Sequence, residues 1–190
     1  MQMLTIRKYL QETSGHATIE FVAIFLGLIA VVFFVLEMVL YMFFTATLEK
    51  AAQAGVRAAI TSTPLVEGVP ARNARTSTGT FGVPCSDASS PCVSYSTVSC
   101  TGESCVQGSF ADLLAHVQSI SGLVEASHIT VTYSDVGLGY AGGISVPMVS
   151  VTLSGVPYET GILSLLLQNA GVLDALPDRS ASMTGEDLNT

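Results

Sequence analysis

FVAIFLGLIAVVFFVLEMVLYMFF, residues 21–44, decides how this chain is organised. The run is 24 residues long and Glu37 is its one charge. As a helix it reaches roughly 36 Å, enough to cross a hydrocarbon core of about 30 Å with some tilt. Core helices of soluble proteins seldom stay bulky and apolar for so long. A cleaved secretory signal has an apolar region of about 7–15 residues followed by a small-residue cleavage site. Here Thr45-Ala46-Thr47 leads into more helix instead. The sequence therefore predicts a retained transmembrane span over 21–44. Arg7 and Lys8 precede it on a short tail, which favours a cytoplasmic N-terminus.

Working outward, the helix is expected to continue beyond the span. Ala46, Ala51, Ala52, Ala54, Ala58 and Ala59 are strong helix formers, and Glu49, Gln53 and Arg57 recur at four-residue steps as a solvated stripe. Pro64 disfavours helical geometry just before it and ends the element. The chain then divides into a cytoplasmic leader at 1–15, a long helix at 16–61, a cysteine-containing loop region at 62–108 and a small domain at 109–190.

Within the apolar run the exceptions are spaced. The polar or small residues Glu20, Ala23, Gly27, Ala30 and Glu37 fit an alternating three-and-four rule that passes through Phe34 and continues through Tyr41, Phe44, Leu48, Ala51 and Gly55. Lipid is as apolar as leucine, so small residues and polar contacts mark the face that meets another helix. A carboxylate at the centre of a span costs about 2.5–3.5 kcal/mol, so Glu20 and Glu37 are expected to find partners. The reading is one seam for helix packing, with bulky faces turned to lipid.

Gly15-His16-Ala17-Thr18-Ile19-Glu20-Phe21 resembles the type IV prepilin pattern: a glycine, a glutamate five residues on, and an unbroken apolar helix. Together with Glu37 and the stretch Leu48-Glu49-Lys50-Ala51-Ala52-Gln53-Ala54-Gly55-Val56-Arg57-Ala58-Ala59, it is similar to the TadE-like family, minor pilins or pseudopilins of the tight-adherence (Flp) pilus. The match covers about residues 14–60. The resemblance implies cleavage by a prepilin peptidase between Gly15 and His16. It also implies pairing of Glu20 with the freed amine of a neighbouring subunit. Its partners would be other pilin and pseudopilin subunits or the pilus secretion platform, besides the lipid bilayer. Arg7 and Lys8 lie several residues before Gly15, and His16 is an unusual new N-terminus; both depart from the usual prepilin leader.

The remainder reads as a small α+β domain outside the cytoplasm. Cys85, Cys92, Cys100 and Cys105 cluster in a loop rich in Ser, Thr, Gly and Pro, which suggests two disulfides with three possible connectivities. Proximity favours Cys85–Cys92 and Cys100–Cys105. Their spacing and the lack of a histidine in the loop argue against zinc. Ser109–Ile120 reads as an amphipathic helix with a capping box at Ser109 and Asp112. His128–Ser134 and Ile144–Ser154 read as strands of an antiparallel hairpin, the second with a bulge where its apolar phase shifts between Met148 and Val149. Gly161–Gly171 reads as a short buried helix and Arg179–Thr184 as a last strand.

Composition excludes several functions. Net charge is -8, and between Thr61 and Thr190 only Arg72, Arg75 and Arg179 are basic against eleven acids. Nucleic-acid binding needs clustered Lys and Arg. The literal G-x-G-x-x-G at Gly137–Gly142 is followed by a strand pattern rather than a helix, so it reads as a hairpin turn. His116, His128 and the dispersed serines form no catalytic constellation. No cofactor, metal or enzymatic activity is expected. The main expectation is an assembly role in a pilus system; the alternative is a single-pass, membrane-anchored extracytoplasmic binding module.

Overall fold

A computed structural model describes residues 16–158, 175–185 and 188. The chain's first described element is one helix, α1, His16–Thr61, 46 residues long. Its best 18-residue window has a mean hydropathy of 2.9, and it is long and apolar enough to cross a membrane. The helix stops at Thr61, three residues before Pro64.

The rest of the described chain is a four-stranded antiparallel meander carrying one further helix. Strands β1 (Val98–Thr101), β2 (Ile129–Ser134), β3 (Met148–Leu153) and β4 (Arg179–Thr184) lie in that order. Helix α2, Gln107–Ile120, connects β1 to β2 through short turns. The fold is α+β: a long apolar N-terminal helix, then a small domain with an antiparallel sheet and a short helix.

The sheet's two faces follow from side-chain alternation. One face carries the row Cys100, Val131, Val151 and Ala181, flanked by Tyr133–Val149 and Ile129–Leu153. These residues are buried except Ala181, which is partly so. The opposite face is hydroxylic, with rows Ser99–Thr132–Ser150–Ser182 and Thr101–Thr130–Thr152–Ser180. Thr101 and Thr130 hydrogen-bond across the strands at 2.9 Å. Such a face can stay hydrated, as antiparallel sheets allow.

The apolar face is covered by α1 and α2. Leu48, Ala51, Ala52, Val56 and Ala59 of α1 are buried, as are Phe110, Leu113 and Val117 of α2. At Gly55 an added Cβ would lie 3.0 Å from a Val117 methyl and 3.2 Å from a Val151 methyl, so glycine lets all three elements meet. The top of α1 is tied to α2 through Thr63 and Ser109, whose hydroxyls lie 2.6 Å apart. Beside it, the Leu65 N–H donates to the fully buried Tyr133 hydroxyl at 3.2 Å. Burial raises the Tyr133 phenol above its ordinary 10.0, and the Leu65 N–H opposes the shift.

Several local expectations are corrected. Helix α2 starts at Gln107, with Val106 as its cap residue and no side-chain cap. Ser109 does not cap it, because it is already the third residue of the helix, and its hydroxyl lies beside that of Thr63. β3 starts at Met148, not Ile144, and alternates regularly, so the apparent phase shift marks the strand's beginning rather than a bulge. Before it, Ile144 makes only an isolated bridge with Arg72. β1 was hidden in the loop region, where Ser99 and Thr101 alternate with Val98 and Cys100 over only four residues. Gly137, Gly139 and Gly142 all have positive φ and form the turn between β2 and β3. The expected helix at 161–171 lies outside the described residues.

The cysteines pair as nearest neighbours, Cys85–Cys92 and Cys100–Cys105. Closing loops of 7 and 5 residues restricts the unfolded chain by about 2 kcal/mol each. Cys100 and Cys105 are each only 4% exposed and join the core, whereas Cys85 and Cys92 are half-buried at a loop. The double serine variant at Cys100 and Cys105 should therefore lower the thermal midpoint more than that at Cys85 and Cys92. Comparing the two melting curves checks this ordering.

Candidate functional site: the seam of the long helix

The seam read from the sequence runs along α1, and the structure divides it. From Glu37 upward it meets the chain's own domain. Glu37, Leu48, Ala51 and Gly55 are buried, and Tyr41 and Phe44 are half-buried. Ala52, Val56 and Ala59, one position further round, are buried as well. The stripe is wider than a two-helix seam because a sheet and a second helix straddle it together.

Below Glu37 the same seam is not covered by any other described residue. From Thr18 to Leu36 every residue is exposed except Ile29, which is half-buried. Glu20, Ala23, Gly27, Ala30 and Phe34 lie in this part. A Cβ built on Gly27 would meet nothing within 4 Å. His16 opens the helix, while Gly15 and the leader lie outside the described residues.

The boundary between the halves is a polar and aromatic junction. Tyr158, five residues beyond β3, donates from its hydroxyl to Glu37 Oε1 at 3.3 Å. Its ring meets Tyr41 edge-on at 5.5 Å and Phe44 at 6.0 Å between centroids. Tyr158 is 3% exposed and Glu37 7%. Burial, then the Glu37 carboxylate, pushes the Tyr158 phenol above its ordinary 10.0, so it keeps the proton it donates. Sequence reasoning expected a partner for Glu37 on another helix and missed Tyr158, since nothing local in Val156-Pro157-Tyr158 marks a contact 121 residues away.

Tyr158→Phe should keep the ring contacts and remove one donor from Glu37. The expected cost is about 1 kcal/mol, as for other buried hydrogen bonds. Tyr158→Ala should cost more by removing the ring as well. Thermal unfolding in one detergent, with all three proteins side by side, measures both steps.

The two histidines of the head have ordinary surroundings. His116 is exposed on α2, and His128 Nδ1 accepts the Glu125 N–H at 3.1 Å. The four cysteines are consumed in disulfides. What the fold defines is a stalked domain: an α+β head clasped to the upper half of a helix whose lower half is an apolar rod. No family model, no curated protein and no solved structure matches the chain.

Proposed function

We propose that this chain is a membrane-anchored minor pilin or pseudopilin that takes part in assembling a tight-adherence type pilus through helix packing. The observation that carries this reading is the divided seam. One heptad-spaced stripe runs from Glu20 to Gly55, its upper part serves the chain's own head, and its lower part is left open. The bare stretch from Thr18 to Leu36 is about 28 Å long, close to a hydrocarbon core of about 30 Å. Glu37 and Tyr158 then sit in the outer part of the 21–44 span, where the head begins to cover the helix. The two disulfides fit an oxidising compartment for the head and hence a cytoplasmic N-terminus.

In this reading Glu20, Ala23, Gly27 and Ala30 meet sister helices, and a prepilin peptidase cuts between Gly15 and His16. A binding module with an ordinary anchor would need only apolar residues there and would not use the small-residue stripe. Replacing Ala23 and Gly27 together by leucine keeps the rod apolar and fills the close-approach face. Insertion should be unchanged, while crosslinked assemblies should fall about tenfold, as expected from losing roughly 1.4 kcal/mol of packing. Equal crosslinking by both proteins would favour the anchored binding module. Mass spectrometry of the membrane-extracted protein reads the leader directly, since cleavage removes Met1 to Gly15.

A further inference from the structure

β3 runs antiparallel to α1, because Val151 packs at Gly55 while Tyr158, further along, reaches Glu37. The β2–β3 loop therefore lies at the end of the head farthest from the bare rod. That end carries an apolar and cationic knob. Phe81 is 70% exposed, Tyr140 57% and Ile144 55%. Arg75 sits 4.9 Å from the centre of the Phe81 ring and donates to the Gly79 carbonyl at 2.8 Å. Arg72 donates to the Gly142 carbonyl at 3.4 Å. Two of the three basic residues after Thr61 are thus gathered in one patch.

The knob is built rather than loose. Asn73, 8% exposed, donates to the carbonyls of Leu138 at 3.1 Å, Ile144 at 3.4 Å and Tyr140 at 3.5 Å. The Cys85–Cys92 disulfide closes the neighbouring loop, and a Cβ on Gly142 would collide with the Phe81 ring. Rigid aromatic side chains beside arginine are the composition of binding hot spots.

The other end of the head offers the complement. Two short turns, Gly102–Ser104 and Ala126–His128, border an open notch of about 580 Å³. Glu103 and Glu125 both line it and both are exposed. We propose that the Phe81 knob of one copy seats in the Glu103–Glu125 notch of the next copy. A projecting ring meets a concavity, and two arginines meet two carboxylates. Knob and notch are different surfaces, so the contact is heterologous and repeats along an axis. They lie at opposite ends of β2, about 20 Å apart at roughly 3.3 Å per residue, so neighbouring copies are offset by at least that length. Two copies anchored at equal depth in one bilayer do not have this offset. The contact belongs to subunits displaced along their rods, and so rests on the assembly role proposed above.

The test uses the full-length chain in cells that assemble it, with a photo-crosslinking amino acid at Phe81 or, separately, at Ala23. The Phe81 adduct should map to the Glu103–Glu125 turns of a second copy, in the assembled fraction and not in the membrane fraction. Arg75→Glu should lower that yield about tenfold, and Glu103→Arg with Glu125→Arg in the neighbour should restore it, as expected of a charge pair at an interface. Arg75→Gln, with both disulfides intact on a non-reducing gel, guards against misfolding. A Phe81 adduct elsewhere, an adduct with a different protein, or a yield indifferent to charge reversal overturns the proposal. If Ala23 crosslinks persist while Phe81 gives none, the knob and notch fail alone. If both vanish, the assembly role fails with them.

Discussion

Leucine at position 55 is expected to pry the head off its stalk. Gly55 faces Val117 of α2 and Val151 of β3, and even one carbon there would stand 3.0 and 3.2 Å from their methyl groups. Both walls are β-branched, so neither can swing aside without leaving its rotamer. Overpacking a filled core costs about 1–3 kcal/mol, and three elements converge here, so the upper end of that range is expected. For a head of this size the thermal midpoint should drop by roughly 10 °C. The bare rod does not touch this site, so membrane insertion should not change. Gly55→Ala is the control: it gains up to about 1 kcal/mol of helix propensity and offsets part of its own clash. Circular dichroism melts and proteolysis of the head would show both effects; a Gly55→Leu melt matching wild type would mean that α1 does not pack where the structure puts it.

The second large effect is expected at Glu20. In the single chain its carboxylate is exposed at the foot of the bare rod. Packing sister rods against Ala23 and Gly27 would remove it from water, and a buried carboxylate must then meet a cation. The resemblance to prepilins supplies the freed amine of a neighbour's His16. Removing one member of a buried pair costs about 3–5 kcal/mol, because the other charge is left uncompensated. Glu20→Gln should therefore cut assembled material on the order of a hundredfold. Quantifying crosslinked oligomers and imaging surface appendages in the same cells measures it. Appendages in normal numbers would remove the pilin reading, because an ordinary anchor has no use for that charge.

The two variants separate the halves of one stripe. Gly55 reports on contacts within the chain and Glu20 on the proposed contacts between chains. A seam serving only the chain's own fold would respond at Gly55 and stay silent at Glu20. The junction at Glu37 and Tyr158 divides the two jobs.

Elements governed by local spacing were legible beforehand. The apolar run, the alanine-rich continuation and Pro64 give α1 nearly to the residue, because helix period and helix stops are written in neighbouring positions. Ile129, Val131 and Tyr133 alternate strictly and give β2 for the same reason. β1 was not legible: four residues among serines and threonines carry too little pattern, and its pairing with β2 supplies what its own sequence lacks. The start of α2 differs from the expected one because Ser109 and Asp112 have the spacing of a cap, while the helix begins two residues earlier at Gln107 and takes Ser109 into its first turn.

The seam shows the limit most clearly. Periodicity alone put Glu20, Ala23, Gly27, Glu37, Ala51 and Gly55 on one stripe that winds slowly around the rod, since a helix fixes which residues are neighbours along its surface. It could not determine what covers that face. Tyr158 lies 121 residues from Glu37, and Val151 lies 96 positions after Gly55, so only the folded sheet brings them to the rod. Local spacing and composition were enough to specify a membrane-length rod with a marked stripe and a small cysteine-bearing head. That the head occupies the upper stripe, while no described residue covers the lower one, came only from the folded chain, because packing partners are chosen by long-range closure rather than by local spacing.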